Sequence, residues 1–134
     1  MSAMRISVAL LRDKSGRVLL VRKRDTSAFM QPGGKIEDGE GAASALQREL
    51  AEELALSVDL KDLSYLGTAH APAANEPDTI VEAEIFELPC RQPIAVQAEI
   101  AEVVWVDPAS SAELRLAPLT RDHILPLALK RAAG

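Results

Sequence analysis

Arg48, Glu49, Glu52 and Glu53 stand within six residues of one another, in a stretch where Leu46, Leu50 and Leu54 recur every fourth position with Ala43 on the same side. That period is one apolar face of a helix, and it predicts a helix from about Glu40 to Leu54. On the helical wheel Glu52, Glu49 and Glu53 all fall within about 140° of Arg48, beside the leucine stripe. The grouping is electrostatically unfavourable, because like charges three or four positions apart cost about 0.2–0.5 kcal/mol per pair. Arg48 can pair with Glu52, but one guanidinium does not neutralise three acids. Clustered carboxylates short of basic partners suit a hard divalent cation, and Mg²⁺ or Mn²⁺ prefers such oxygen ligands.

Just before the acids lies Gln31-Pro32-Gly33-Gly34-Lys35. Two consecutive glycines read as a turn that lets the backbone take positive φ and approach a ligand closely. A glycine turn leading into an acidic helix can offer backbone carbonyls as further metal ligands. It is not a phosphate-binding P-loop, since the G-x-x-x-x-G-K-[ST] spacing is absent.

Counted from Gly34, the chain has five residues, Glu40, seven residues, then Arg48-Glu49-Leu50-x-Glu52-Glu53-x-Ala55-Leu56. This resembles the box of the Nudix (MutT-like) hydrolases, G-x5-E-x7-R-E-U-x-E-E-x-G-U with U apolar, and eight of its nine specified positions match. The departure is Ala55, where the family has glycine. That position falls in the helix's terminal turn, where a left-handed residue is common, and alanine there costs about 1–2 kcal/mol if φ is positive. The expectation is an altered helix end with the chemistry intact, since no carboxylate is touched.

The resemblance implies hydrolysis of a nucleoside diphosphate linked to a further group, water attacking one phosphorus of the pyrophosphate. Carried over by position, Glu49, Glu52 and Glu53 would hold the metal with the Gly33 carbonyl as a backbone ligand. Gly34 belongs to the motif, Arg48 would orient the glutamates through charge-assisted hydrogen bonds, and Glu40 would be a further ligand or a support near the helix start. Within the family the base is a box glutamate in some members and a later-loop glutamate in others. Here Glu53 is the first choice, preorganised on its helix, and Glu99 is the loop candidate, expected on a mobile approach to the last strand. The resemblance also implies an α/β/α sandwich around a mixed β-sheet, and family members are often homodimers.

The elements that must position these groups follow from the rest of the chain. Met4 to Leu11 and Arg17 to Val21 read as strands joined at Asp13-Lys14-Ser15-Gly16 into a hairpin. Arg22-Lys23-Arg24 follows as a basic knot, either a solvated loop or, through Arg22 and Arg24, a contact for substrate phosphate. Phe29 is core or a stacking surface for a base, and core is the commoner use. Gln31 stands where the family often has an aromatic or apolar residue, so it bears on how a substrate pocket is lined. Further strands are predicted at Leu63 to Ala69, Thr79 to Leu88 and Val103 to Val106, with Ala71 to Pro77 a loop and Trp105 in the core. Glu82 and Glu84 read as solvated strand glutamates. A last helix is predicted from Thr120 to Arg131, with Thr120 as N-cap and Pro126 as a kink. His70 and His123 have no partner at metal spacing and read as structural or surface residues.

The totals agree with a soluble α/β domain. A chain of 134 residues is the length of one domain, read as 1–134, and 48% hydrophobic residues suffice for a core. The net charge of −5 argues against a nucleic acid polymer as partner. Cys90 is the sole cysteine, so no intrachain disulfide forms and a reducing, cytoplasmic compartment fits. No run reaches a membrane-spanning length, and the N-terminus lacks a signal-peptide pattern. Three functions remain open: a nucleoside triphosphate hydrolase, an ADP-ribose or nucleotide-sugar hydrolase (Pro72, sixteen residues past Leu56, resembles that subgroup), or a Nudix-fold nucleotide-binding regulator without turnover. The intact acids argue against the last.

Overall fold

In the computed structural model, which describes residues 2–97, 99–111 and 113–133, a six-stranded mixed sheet lies between two helices. The strands are β1 (Ser2–Arg12), β2 (Val18–Lys23), β3 (Gly33–Lys35), β4 (Ser64–Pro72), β5 (Thr79–Pro89) and β6 (Ile100–Val106). The helices are α1 (Ala42–Leu54) and α2 (Leu125–Ala133). Sheet order is β4-β5-β1-β2-β6, with β3 paired to β1 beside this path. β1 runs parallel to β5 over its whole length, and every other pairing is antiparallel.

The faces follow the strand alternation of side chains. Ala9 and Leu11 of β1, Leu19 and Val21 of β2, and Phe86 and Leu88 of β5 meet Leu46, Leu50 and Leu54 of α1. Each of those three leucines is fully buried, worth about 1.5–3 kcal/mol apiece in surface removed from water. On the opposite face Val8, Leu10, Ala83 and Ile85 meet Leu119, Ile124, Leu125 and Ala128. The hairpin turn is held by Asp13, whose carboxylate accepts from the backbone N–H of Ser15 and of Arg17, both at 2.9 Å.

Several boundaries differ from the sequence reading. α1 starts at Ala42, so Glu40 lies before the helix and not in its first turn. The double-glycine segment is a strand, because Gly33 and Gly34 pair with Val8 and Ser7 of β1. β4 extends through Ala71 and Pro72, which had read as loop. Glu84 is not simply solvated: Tyr65 Oη donates to it at 2.8 Å, Thr68 also bonds it, and Arg5 lies 3.5 Å away.

Both chain-breaking signals in the helices resolve locally. Ala55 takes the left-handed conformation (φ 55°, ψ 32°) and ends α1 with its N–H on the carbonyl of Ala51 at 3.1 Å. The alanine therefore keeps the helix end that a glycine would make, at the steric cost of its Cβ. Thr120 is not an N-cap, since Leu119 before it is already helical. Residues Thr120–Ile124 instead form a π-helical turn in which the Leu125 N–H reaches back to the Thr120 carbonyl. A proline at 126 has no N–H for the carbonyl four residues earlier and its ring crowds that carbonyl. The wider turn relieves the crowding, so Pro126 produces a π-bulge.

Candidate active site

The acidic end of α1 abuts β3. Gly33 has φ +141°, and a Cβ there would collide with the Ser7 carbonyl oxygen and lie 2.8 Å from Val8 Cα. At Gly34 a Cβ would fall 2.5–2.7 Å from the carboxylate atoms of Glu49. Gly33 is thus required by its φ and its close approach to the β1 backbone, while Gly34 lies close against the movable carboxylate of Glu49.

Glu53 faces inward from α1, and only 8% of it is exposed. Its Oε1 accepts from the Gly33 N–H at 3.2 Å. Burial, the largest cause, pushes its carboxyl up to about 7. The Gly33 N–H and the Lys23 charge pull the other way, and the charges of Glu49 and Glu99 push further up. Glu53 therefore feels one carboxylate from its own helix and one from a distant loop.

Glu99 is held more firmly than its sequence context suggests. The loop before β6 is pinned to the end of α1 by Ala95 N–H on the Leu54 carbonyl and Gln97 N–H on the Glu53 carbonyl, both at 3.0 Å. The carbonyl of Glu99 itself accepts from the Arg24 N–H at 2.7 Å. These are contacts between segments far apart in sequence, which is why proline spacing alone read as mobility.

Arg48 makes the expected ion pair with Glu52, but its shorter contacts are elsewhere. It grips Glu40 with two hydrogen bonds of 2.8 and 2.9 Å, reaches Glu49 at 2.7 Å, and leaves Glu52 at 3.6 Å. The Arg48 hydrogen bonds, helped by the Glu37 backbone, hold the Glu40 carboxyl at about 2, while Glu40 and Glu49 raise the guanidinium. Glu52 is left the most open to water of the three box acids. Among the described residues, no three His, Cys, Asp or Glu side chains are gathered closely enough to hold a metal ion. The donor chemistry still suits a hard cation: Glu49 and Glu53 both lie against the Gly33–Gly34 backbone, and every candidate ligand is an oxygen.

A cleft opens on the other side of that glycine wall, toward the α2 face of the sheet. Lys23, Gly33, Gly34 and Lys35 line one part, Met4, Ile6, Val8, Met30, Val81 and Leu119 another, and the segment from Pro72 to Glu76 forms its rim. Lys23 in this lining was missed from the sequence, where Arg22 and Arg24 were favoured within the same basic knot. Neither arginine lines the cleft. Arg22 pairs with Glu102 at 2.7 Å and donates to the Thr26 carbonyl at 2.7 Å. The β2–β6 register shifts between Arg22 and Lys23, so simple strand alternation does not say which of them meets the cleft. Phe29 does not line the cleft either, because its ring packs against the core beneath α2. Gln31 does line it.

Comparison with known proteins agrees with this geometry. A family model described as NUDIX domain matches residues 1–127. The chain is 38% identical over 119 residues to an octanoyltransferase of Myxococcus xanthus, covering 84% of this chain and 32% of that protein. It is 28% identical over 96 residues to a candidate 8-oxo-dGTP diphosphatase of Bacillus subtilis (strain 168), covering 72% of this chain and 61% of that protein. The chain thus spans less than two thirds of the length of either curated relative. Among solved structures, the MutT protein of Methanosarcina mazei Go1 superposes with a TM-score of 0.82 at 18% identity, covering 99% of this chain and 97% of that one.

Proposed function

Since the chain belongs to the NUDIX hydrolases by a family match over residues 1–127, we propose that it hydrolyses a nucleoside triphosphate with Mg²⁺ or Mn²⁺. The observation that carries this reading is the cleft. It is cationic at Lys23 and Lys35, apolar at Met4, Met30 and Leu119, and backed at Gly33–Gly34 by the box acids. A nucleotide has the matching halves, a multiply charged phosphate chain and a flat, mostly apolar base. The substrate in the name of the Bacillus subtilis relative, a nucleoside triphosphate, supports the same class.

In this reading Glu49, Glu52 and Glu53 would hold the cation, with the Gly33 carbonyl as a backbone ligand. The cation, when bound, neutralises phosphate charge and lowers the pKa of a water molecule. Lys23 and Lys35 bind the phosphate oxygens from the cleft side. Glu53 takes the proton of the attacking water, and Glu99 is the alternative base across the same carboxylate group. Arg48 orients Glu49, and Glu40 holds Arg48 in place.

The test is a Mg²⁺-dependent screen of the purified chain against nucleoside triphosphates, ADP-ribose and nucleotide sugars, with release of phosphate products as the readout. Turnover of triphosphates that EDTA abolishes is the expected result. Turnover confined to ADP-ribose or nucleotide sugars moves the substrate class, and nucleotide binding without turnover of any of them makes the chain a binding module.

A further inference from the structure

Gln31 is a polar side chain in the part of the cleft lined by apolar residues, and it is 94% buried, its exposure being 6%. Its Oε1 accepts from Thr120 Oγ1 at 2.7 Å, across 89 residues of sequence. Thr120 is fully buried and belongs to the π-turn that Pro126 imposes. With its oxygen occupied, the amide has two N–H hydrogens left on Nε2, and no protein partner for Nε2 is found among the described residues. Yet no enclosed side-chain nitrogen or oxygen among those residues lacks a partner. Nε2 is therefore not enclosed, in a side chain that lines the cleft.

Resting on the reading of this cleft as a nucleotide site, we propose that Gln31 reads the base, donating from Nε2 to a carbonyl oxygen of a nucleobase, with Thr120 as the positioning residue that holds the amide the right way round. A base carbonyl satisfies the amide donor. An exocyclic amino group at the same place meets it hydrogen to hydrogen and leaves a half-buried donor unpaired. The walls reinforce this role for one amide. Among the described residues no aromatic side chain lines the cleft, and Met4 and Met30 adapt to ring shape without selecting it. Base identity then rests on the polar contact. The wider turn at Thr120 serves the same end, since π-bulges frequently mark functional positions.

The experiment is calorimetric binding of nucleoside 5′-monophosphates, which needs no turnover. The pairs are inosine against adenosine monophosphate and uridine against cytidine monophosphate, each exchanging a carbonyl beside a ring N–H for an amino group beside a bare ring nitrogen. The expected result is about tenfold tighter binding of the carbonyl member in at least one pair, the worth of one neutral hydrogen bond. Gln31→Met should bring that ratio to near unity, and Thr120→Val should lower it partway by freeing the amide to turn. In the unmodified protein, the side-chain amide NMR signal of Gln31 should shift with inosine monophosphate and stay in place with adenosine monophosphate, a readout that does not depend on a variant folding. Equal binding within both pairs, no saturable binding of any of the four, a ratio that survives Gln31→Met, or an amide signal indifferent to the base overturns the proposal. Discrimination without turnover of triphosphates would overturn the hydrolase reading and leave this one standing. Turnover without discrimination does the reverse.

Discussion

Glu53 and Glu87 are both partly or largely buried glutamates, and their environments push them in opposite directions. At Glu87 burial works against the charged form, but hydrogen bonds from Arg12 and Arg131 outweigh it and hold the carboxyl below its ordinary range. Arg12 Nε lies 2.8 Å from Glu87 Oε2 and Arg131 Nε 2.7 Å from Oε1, while Arg12 also donates to the Ala128 carbonyl at 2.7 Å. That network fastens α2 to the sheet. At Glu53 burial wins, because its protein partners are one backbone N–H and a more distant lysine charge. A glutamate serving the fold is neutralised by the fold itself. Glu53, the base of the proposed function, is left short of positive charge, as suits a group that a cation or a proton would complete.

The largest effect expected from this contrast is on turnover. Glu53→Gln should lower kcat about 10²–10⁴-fold, the usual worth of a positioned base, and flatten the acidic limb of the pH–rate profile. Glu99→Gln should cost about tenfold or less. If Glu99→Gln flattens that limb while Glu53→Gln only raises the Mg²⁺ concentration for half activity, the base is Glu99. By contrast, Glu87→Gln should lower stability by about 2 kcal/mol, because it leaves two arginines facing a neutral amide in a half-buried site. Its kcat below the melting transition should match that of the unmodified protein. Urea unfolding and steady-state kinetics on the same preparation check both halves, and a loss of activity without a loss of stability would break the contrast.

A smaller effect concerns pH. The folded pKa of Glu53, about 7, lies above its unfolded value, so the folded state binds more protons between those two values. The stability of the metal-free protein should therefore fall as pH rises from about 4.5 to about 7, by at most about 1.4 kcal/mol per pH unit. Glu53→Gln should flatten this slope, and melting curves in EDTA across that range measure it. A slope unchanged by the substitution would mean that another group supplies it. The smallest effect is at Ala55, whose φ of 55° strains an alanine. Ala55→Gly should stabilise the chain by about 1 kcal/mol, raising Tm by a few degrees with turnover unchanged. A lower Tm would mean that the added freedom of glycine in the unfolded chain outweighs the strain.

Residue spacing alone carried a good deal of this. The helical period of Leu46, Leu50 and Leu54, the run of acids beside it and the glycines before it were all legible, because each is a local pattern with a local physical cause. So were the family resemblance and the α/β/α sandwich that it implies. Strand runs such as Thr79 to Leu88 were found for the same reason, since alternation and apolar content are read one segment at a time. What spacing could not decide was which partner each polar group would meet. Arg48 pairs with Glu52 but is gripped more closely by Glu40, because a turn that precedes α1 folds back onto it. Lys23 lines the cleft and Arg22 does not, at a register irregularity between them that nothing in the basic knot announces. Gln31 and Thr120 are 89 residues apart, and only the packing of α2 across the sheet from α1 brings them together. The sequence determined its elements through short-range periodicity. The tertiary structure decided the charge pairing, the depth of Glu53 and the lining of the cleft, because those depend on contacts between segments whose separation in sequence carries no information about their distance in space.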